Sequence, residues 1–168
     1  RGTLILAPEG VNSTCSGSCE AIDSTIALLK SDPRFESMEI KYSYADFNPF
    51  PKFKVKKKPE IVTFRQPGAD PRVDVGTYLD PEEWNELIAD PDVITIDTRN
   101  DYEVEVGHFK GALNPNTDDF TAFSRFVDEY LVSQKDKKIA MYCTGGIRCE
   151  RSTAYLKQKG FKNVYHLK

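Results

Sequence analysis

Short, nearly continuous apolar runs separated by stretches of helical periodicity give this chain its outline. Val93-Ile94-Thr95-Ile96-Asp97 and Lys138-Ile139-Ala140-Met141-Tyr142 read as strands buried on both faces, the pattern of a parallel sheet. Gly2-Thr3-Leu4-Ile5-Leu6-Ala7 predicts another central strand, stopped by a turn at residues 8–12, and residues 161–168 predict a last one. Residues 39–44 and 61–64, with Val55, read as further extended segments. Helical spacing occurs in four places. Ala21, Ile22, Ile26, Leu28 and Leu29 predict a helix ending near Lys30, with Ser18 as its cap and Ser31-Asp32-Pro33 as its stop. Pro81-Glu82-Glu83-Trp84 opens a second, whose Trp84, Leu87 and Ile88 face a core. Phe120, Phe123, Phe126, Val127, Tyr130 and Leu131 predict a third apolar face, expected in the core. Residues 150–160 predict a fourth helix, ended by Gly160.

The order of elements predicts two domains. Residues 1–66 read as β-α-β-β, a partial ferredoxin-like α+β unit that a further strand ahead of Arg1 would complete. Residues 67–76, beginning Pro67-Gly68-Ala69-Asp70-Pro71, read as a linker. Residues 77–168 alternate strand and helix as an α/β parallel-sheet domain does. The strand-like ending predicts that sequence is missing after Lys168 as well.

Composition narrows the function classes. A length of 168 residues suffices for one or two small cores, and no apolar run is long enough to span a membrane or to form a secretory signal. The formal charge of −3 hides a gradient. Up to Val75, eleven Lys and Arg stand against ten Asp and Glu; beyond it, twelve stand against sixteen. Lys52, Lys54, Lys56, Lys57 and Lys58 form a basic run beside Phe50 and Phe53. Such a run suits RNA phosphates with stacked bases, and equally suits a solubilised edge strand. Cys15, Cys19, Cys143 and Cys149 are spaced unlike zinc ligands, and His108 and His166 form no iron-binding pattern, so no metal is expected. No flavin or nicotinamide fingerprint occurs. Reduced cysteines in a cytoplasmic protein are the simpler expectation.

The candidate chemistry lies in Tyr142-Cys143-Thr144-Gly145-Gly146-Ile147-Arg148-Cys149, between a buried strand and a helix. There Cys143 meets converging backbone N–H groups and a helix N-terminus, which favour a thiolate. Thr144, Gly145, Gly146 and Ile147 form the cradle, and the glycines let the backbone curl around the sulfur. The loop lacks the Gly-Lys-Ser/Thr of a phosphate-binding loop. Arg148 follows Cys143 by five residues, where cysteine phosphatases use six, so a smaller anion such as a thiolate or persulfide sulfur fits better than phosphate. Cys149 is compatible with a resolving thiol or with packing. Asp97 and Arg99 are expected to pair beneath the loop or to close a helix, and Glu103 to accept a hydrogen bond or assist proton movement, with structural ion pairing the default for all three; His108 is expected to be structural or to exchange protons.

Residues from about Val75 onward resemble the rhodanese domain, through Asp97-Thr98-Arg99, Asp101-Tyr102-Glu103, the run from Gly107 to Pro115, and the loop from Cys143 to Arg148. That resemblance implies an α/β fold and a persulfide-carrying role for Cys143, with Arg148 and the loop amides stabilising the anion. With the residues from Leu4 to Asn12, Ser31-Asp32-Pro33-Arg34-Phe35 and the sequence through Glu150 added, the chain is similar to bacterial rhodanese-domain tRNA uridine hydroxylases. Those join an acylphosphatase-like domain to a rhodanese domain. The resemblance implies oxygen-dependent conversion of wobble uridine to 5-hydroxyuridine, with molecular oxygen as co-substrate, no bound cofactor, tRNA as partner, and Cys143 as the essential thiol. Ser13 and Cys15 depart from it, standing where glycine and an apolar residue are expected. Sulfur transfer through a Cys143 persulfide, and a non-catalytic RNA- or protein-binding module, are the competing expectations.

Overall fold

The computed structural model describes residues 1–168, and their contacts divide into two units, Arg1–Ile61 and Val62–Lys168. The division falls after Ile61 rather than after Gln66. Phe64 and Ala69 are fully buried in the core of the second unit, and Arg151 donates to the Ala69 carbonyl at 2.8 Å. The stretch expected to be a linker therefore begins as part of that unit's packing.

In the first unit, β1 (Gly2–Ala7) lies between β2 (Gly10–Cys15), antiparallel to it, and β3 (Phe53–Lys57), parallel to it. The helix α1 (Cys19–Lys30) starts where Ser18 caps it, its hydroxyl accepting from the Ala21 N–H at 3.3 Å. The observed order is β-β-α-β, and three expectations fail here. Residues 10–15 form a strand despite their polar, turn-like composition, because an edge strand exposes Asn12, Ser13 and Thr14 without cost. Residues 39–44 form none: β2 and β3 already occupy both sides of β1, and Lys41, Tyr42, Ser43 and Tyr44 all stay exposed. Residues 61–64 are likewise irregular, held by burial of Ile61 and Phe64 rather than by a ladder.

The second unit carries a four-stranded, wholly parallel sheet in the order β4-β7-β6-β5, with β4 Thr77–Leu79, β5 Ile94–Asp97, β6 Ile139–Tyr142 and β7 Val164–Leu167. Period-two alternation in β6 feeds two cores at once. Ile139 and Met141 join Phe64, Phe123, Leu156 and Phe161 on one face, and Ala140 and Tyr142 join Trp84 on the other. Each such large side chain contributes roughly 1.5–3 kcal/mol by leaving water. The helix α2 (Pro81–Ile88) opens with a full capping box, Asp80 and Glu83 each bonding the other's backbone at 3.0 Å. A one-turn helix α3 (Asp101–Val104) follows β5, and α5 (Ile147–Gln158) follows β6. The aromatic segment between them departs from a regular helix. It runs through a 3₁₀ turn (Phe120–Ala122), α4 (Phe123–Phe126) and a π-helical turn (Val127–Leu131). Phe120, Phe123, Val127 and Leu131 are buried as expected, but the widened turn leaves Tyr130 64% exposed. No helix is long and apolar enough to cross a membrane.

Candidate active site

Ligands of open parallel sheets sit beyond the carboxyl ends of the strands. In this sheet β6 is internal, and Tyr142 at its end stands in register with Asp97 at the end of β5. Cys143 therefore emerges beside the residues that follow β5. Gly146 caps α5 with φ +83, a left-handed conformation that a β-carbon would strain, and the turn it makes points its N–H at the Cys143 sulfur, 3.1 Å away.

That sulfur is half-buried and acidic. A hydrogen bond from the Cys149 thiol pulls the Cys143 thiol down to about 6, against the opposing effect of burial. The backbone N–H groups of Cys149 and Gly145 assist, and the charge of Arg148 contributes less than either. Cys149 is completely buried, and burial followed by the neighbouring Cys143 pushes it well above the ordinary thiol range. The two cysteines thus divide the roles: Cys143 holds the negative charge and Cys149 keeps the proton that stabilises it. Beneath them Thr98 donates to the Tyr142 carbonyl at 2.9 Å and lies 3.6 Å from the Cys149 sulfur.

Arg148 is oriented by Glu103. Its guanidinium grips both carboxylate oxygens at 2.5 and 2.8 Å, while Thr144 donates to Glu103 at 2.9 Å and accepts from Arg148 at 3.1 Å. Arg148's hydrogen bonds hold the Glu103 carboxyl down to about 2, so it remains an anion and cannot shuttle protons near neutrality. Buried Asp97 pairs with half-buried Arg99 at 2.6 Å, and Arg99 also reaches the Gly107 carbonyl at 2.6 Å, fixing the turn after β5. His108 is exposed and lies 3.3 Å from the Val104 carbonyl, so its bond is to the α3 backbone rather than to the loop. The structure thus gathers Cys143, Thr144, Gly145, Gly146, Arg148, Cys149 and Glu103, with Thr98 as a support that the sequence pattern did not single out. The sequence marks Thr98 only as part of Asp97-Thr98-Arg99 and gives no local signal for this role, since its hydrogen bonds span 44 and 51 residues.

Residues 80–168 match the model of the rhodanese-like domain. The chain belongs to the rhodanese-like family. Ahead of that rhodanese domain, residues 1–61 match the UPF0176 acylphosphatase-like domain. Across both, the chain is 54% identical over 167 residues to the tRNA uridine(34) hydroxylase of Picosynechococcus sp., covering 99% of this chain and 56% of that relative. It therefore spans about half the length of the curated relative. Among solved structures, a rhodanese-related protein from Thermoplasma volcanium aligns over 55% of this chain and 83% of its own, with TM-score 0.44 and 21% identity. A protein of unknown function from Rhodopseudomonas palustris, described as a possible tyrosine phosphatase, aligns over 58% and 77%, with TM-score 0.48 and 23% identity.

The lysine run lies in the first unit. Lys54, Lys56 and Lys57 are on β3, Lys52 and Lys58 flank it, and the backbone of both flanking residues continues the pairing with β1. By strand alternation Lys52, Lys54, Lys56 and Lys58 share one face, and Lys57 lies on the other with Phe53 and Val55.

Proposed function

We propose that this chain is the catalytic portion of a tRNA uridine hydroxylase that converts the wobble uridine to 5-hydroxyuridine with molecular oxygen. The observation that carries the proposal is the acidic, donor-cradled Cys143 in a chain that matches a tRNA uridine(34) hydroxylase across both of its units. Near neutrality Cys143 is a nucleophile without a separate base. Addition to uridine C6, conversion to a persulfide and oxidation to a sulfenate all begin from that thiolate. Glu103 and Arg148 hold the loop's shape and supply a fixed positive group at its rim. The β3 lysines of the first unit offer phosphate contacts for tRNA.

The experiment is incubation of the protein, carrying its full natural sequence, with unmodified tRNA under oxygen, followed by nucleoside mass analysis. Oxygen-dependent 5-hydroxyuridine is expected, and Cys143→Ala should reduce it at least about 100-fold, on the order of the loss of a principal catalytic group. A second reading, sulfur transfer, rests on the same cradle, which also suits a persulfide. Absence of 5-hydroxyuridine together with rapid thiosulfate-dependent sulfur transfer would establish that reading instead.

A further inference from the structure

A polar cleft of about 360 Å³ opens in the second unit between the loop after Leu113 and the exposed side of α4 and its π-helical turn. Its walls combine three chemistries. Phe126 and Tyr130 stack on each other at 5.5 Å with planes 29° apart, and Tyr130 leaves most of its surface to solvent. Arg125 lines the cleft, is exposed and has no carboxylate within salt-bridge distance, although Glu129 lines the same cleft one turn further on. Asn116, at φ +51, has its own N–H bound to the Asn114 side chain at 2.9 Å, and its exposed amide group has no partner.

An aromatic face, an unspent guanidinium, a carboxylate and a free amide make a poor apolar pocket and a poor simple anion site, since Glu129 would repel a bare phosphate. Together they match an unpaired ribonucleotide. A base stacks on Tyr130, the Asn116 amide reads a base edge, Arg125 meets the phosphate, and Glu129 accepts from the ribose 2′-hydroxyl. The widened helical turn that exposes Tyr130 is a feature often associated with functional sites.

The cleft is tied to the catalytic loop. Asn114 donates to the Asp101 carboxylate at 2.7 Å, and the Asp101 N–H donates to the Thr117 carbonyl at 3.0 Å. Asp101 begins α3, and two residues later Glu103 holds Arg148 and Thr144. One turn of helix therefore has the cleft's loop at its start and the Cys143 loop further along it. We propose that this cleft binds an unpaired ribonucleotide adjoining the one that reacts at Cys143. This rests on the tRNA reading above and deepens it, by placing recognition of the flanking nucleotide at Arg125, Asn116 and Tyr130.

The test uses a fluorescein-labelled seven-nucleotide single-stranded RNA and measures its affinity across a salt series, alongside hydroxylation kinetics on tRNA. Tyr130→Ala and Arg125→Ala should each weaken the oligonucleotide roughly tenfold, while Tyr130→Phe keeps near-parent affinity. Arg125→Ala should also lower the steepness of the salt dependence by about one phosphate contact. On tRNA both alanine variants should raise KM with little change in kcat, and thermal melting and the pH profile of Cys143 alkylation should stay as in the parent. Affinities within about twofold of the parent for both variants, or equal binding of an RNA abasic at every position, would overturn the proposal. Hydroxylation with oligonucleotide binding indifferent to both substitutions defeats the cleft alone. Sensitive binding without any 5-hydroxyuridine defeats the hydroxylase reading alone.

Discussion

Cys143 and Cys149 differ by six positions in the chain and by almost everything else. One is half-exposed at a strand end and held near pH 6; the other is sealed in the core and kept protonated. Removing the donor should raise the acceptor. In Cys149→Ala, the pH midpoint of iodoacetamide alkylation at Cys143 is expected to move up from about 6 by roughly tenfold in acidity, the worth of one hydrogen bond to a charged group. Mass mapping of the alkylated peptide against pH measures it, and an unmoved midpoint would assign the acidity to the backbone amides. The loop's cradle geometry could be read from residue types at local spacing, because glycines, strand end and helix start all lie within one short stretch of chain. The Glu103 clamp could not: its partner lies 45 residues away, and only the register of Asp97 with Tyr142 brings them together.

At the level of elements, legibility tracks burial. The apolar runs of β5 and β6 and the capped starts of α1 and α2 announce themselves, since each has a local cause in side-chain pattern or capping chemistry. The first unit is harder, because its strands β2 and β3 are edges with largely polar residues, where composition favours turns. The aromatic periodicity of residues 120–131 correctly predicts a buried face and hides the exposed Tyr130, because a π-helical turn rotates its later side chains out of register with α4. For β3, four lysines on one face predict that Lys54→Ala, Lys56→Ala and Lys58→Ala combined will weaken tRNA binding and flatten its salt dependence by up to about three phosphate contacts. Filter binding between low and moderate salt measures the slope, and a slope equal to the parent's would return the run to a solubilising role.

Across the rhodanese domain as a whole, one buried group sets an acid limit. His166 on β7 is 1% exposed, neither ring nitrogen makes a well-formed hydrogen bond, and its ring lies 4.1 Å from that of Tyr78. Burial lowers it to about 4, from an ordinary value of 6.5, against a weaker opposing pull from the Cys149 backbone. A histidine kept neutral by the fold gives stability that is whole above about pH 6.5 and declines as pH falls toward 4, by roughly 3 kcal/mol in all. His166→Gln or His166→Leu should therefore flatten the loss of denaturant midpoint between about pH 7 and about pH 4.5, and a parent midpoint constant over that range would refute the assignment.

The wholly parallel sheet also has a bearing on when the thiol becomes reactive. Parallel neighbours cannot be joined by a tight turn, so β6 meets β5 only after some forty intervening residues and meets β7 only after α5 has formed. Such distant pairings come late in folding. Until they form, Cys143 has no cradle, no buried Cys149 beside it and no Glu103 clamp, and it behaves as an ordinary thiol. The completed sheet is thus a condition for the thiolate, and Cys143 in the denatured chain is expected to alkylate with the pH dependence of an ordinary thiol.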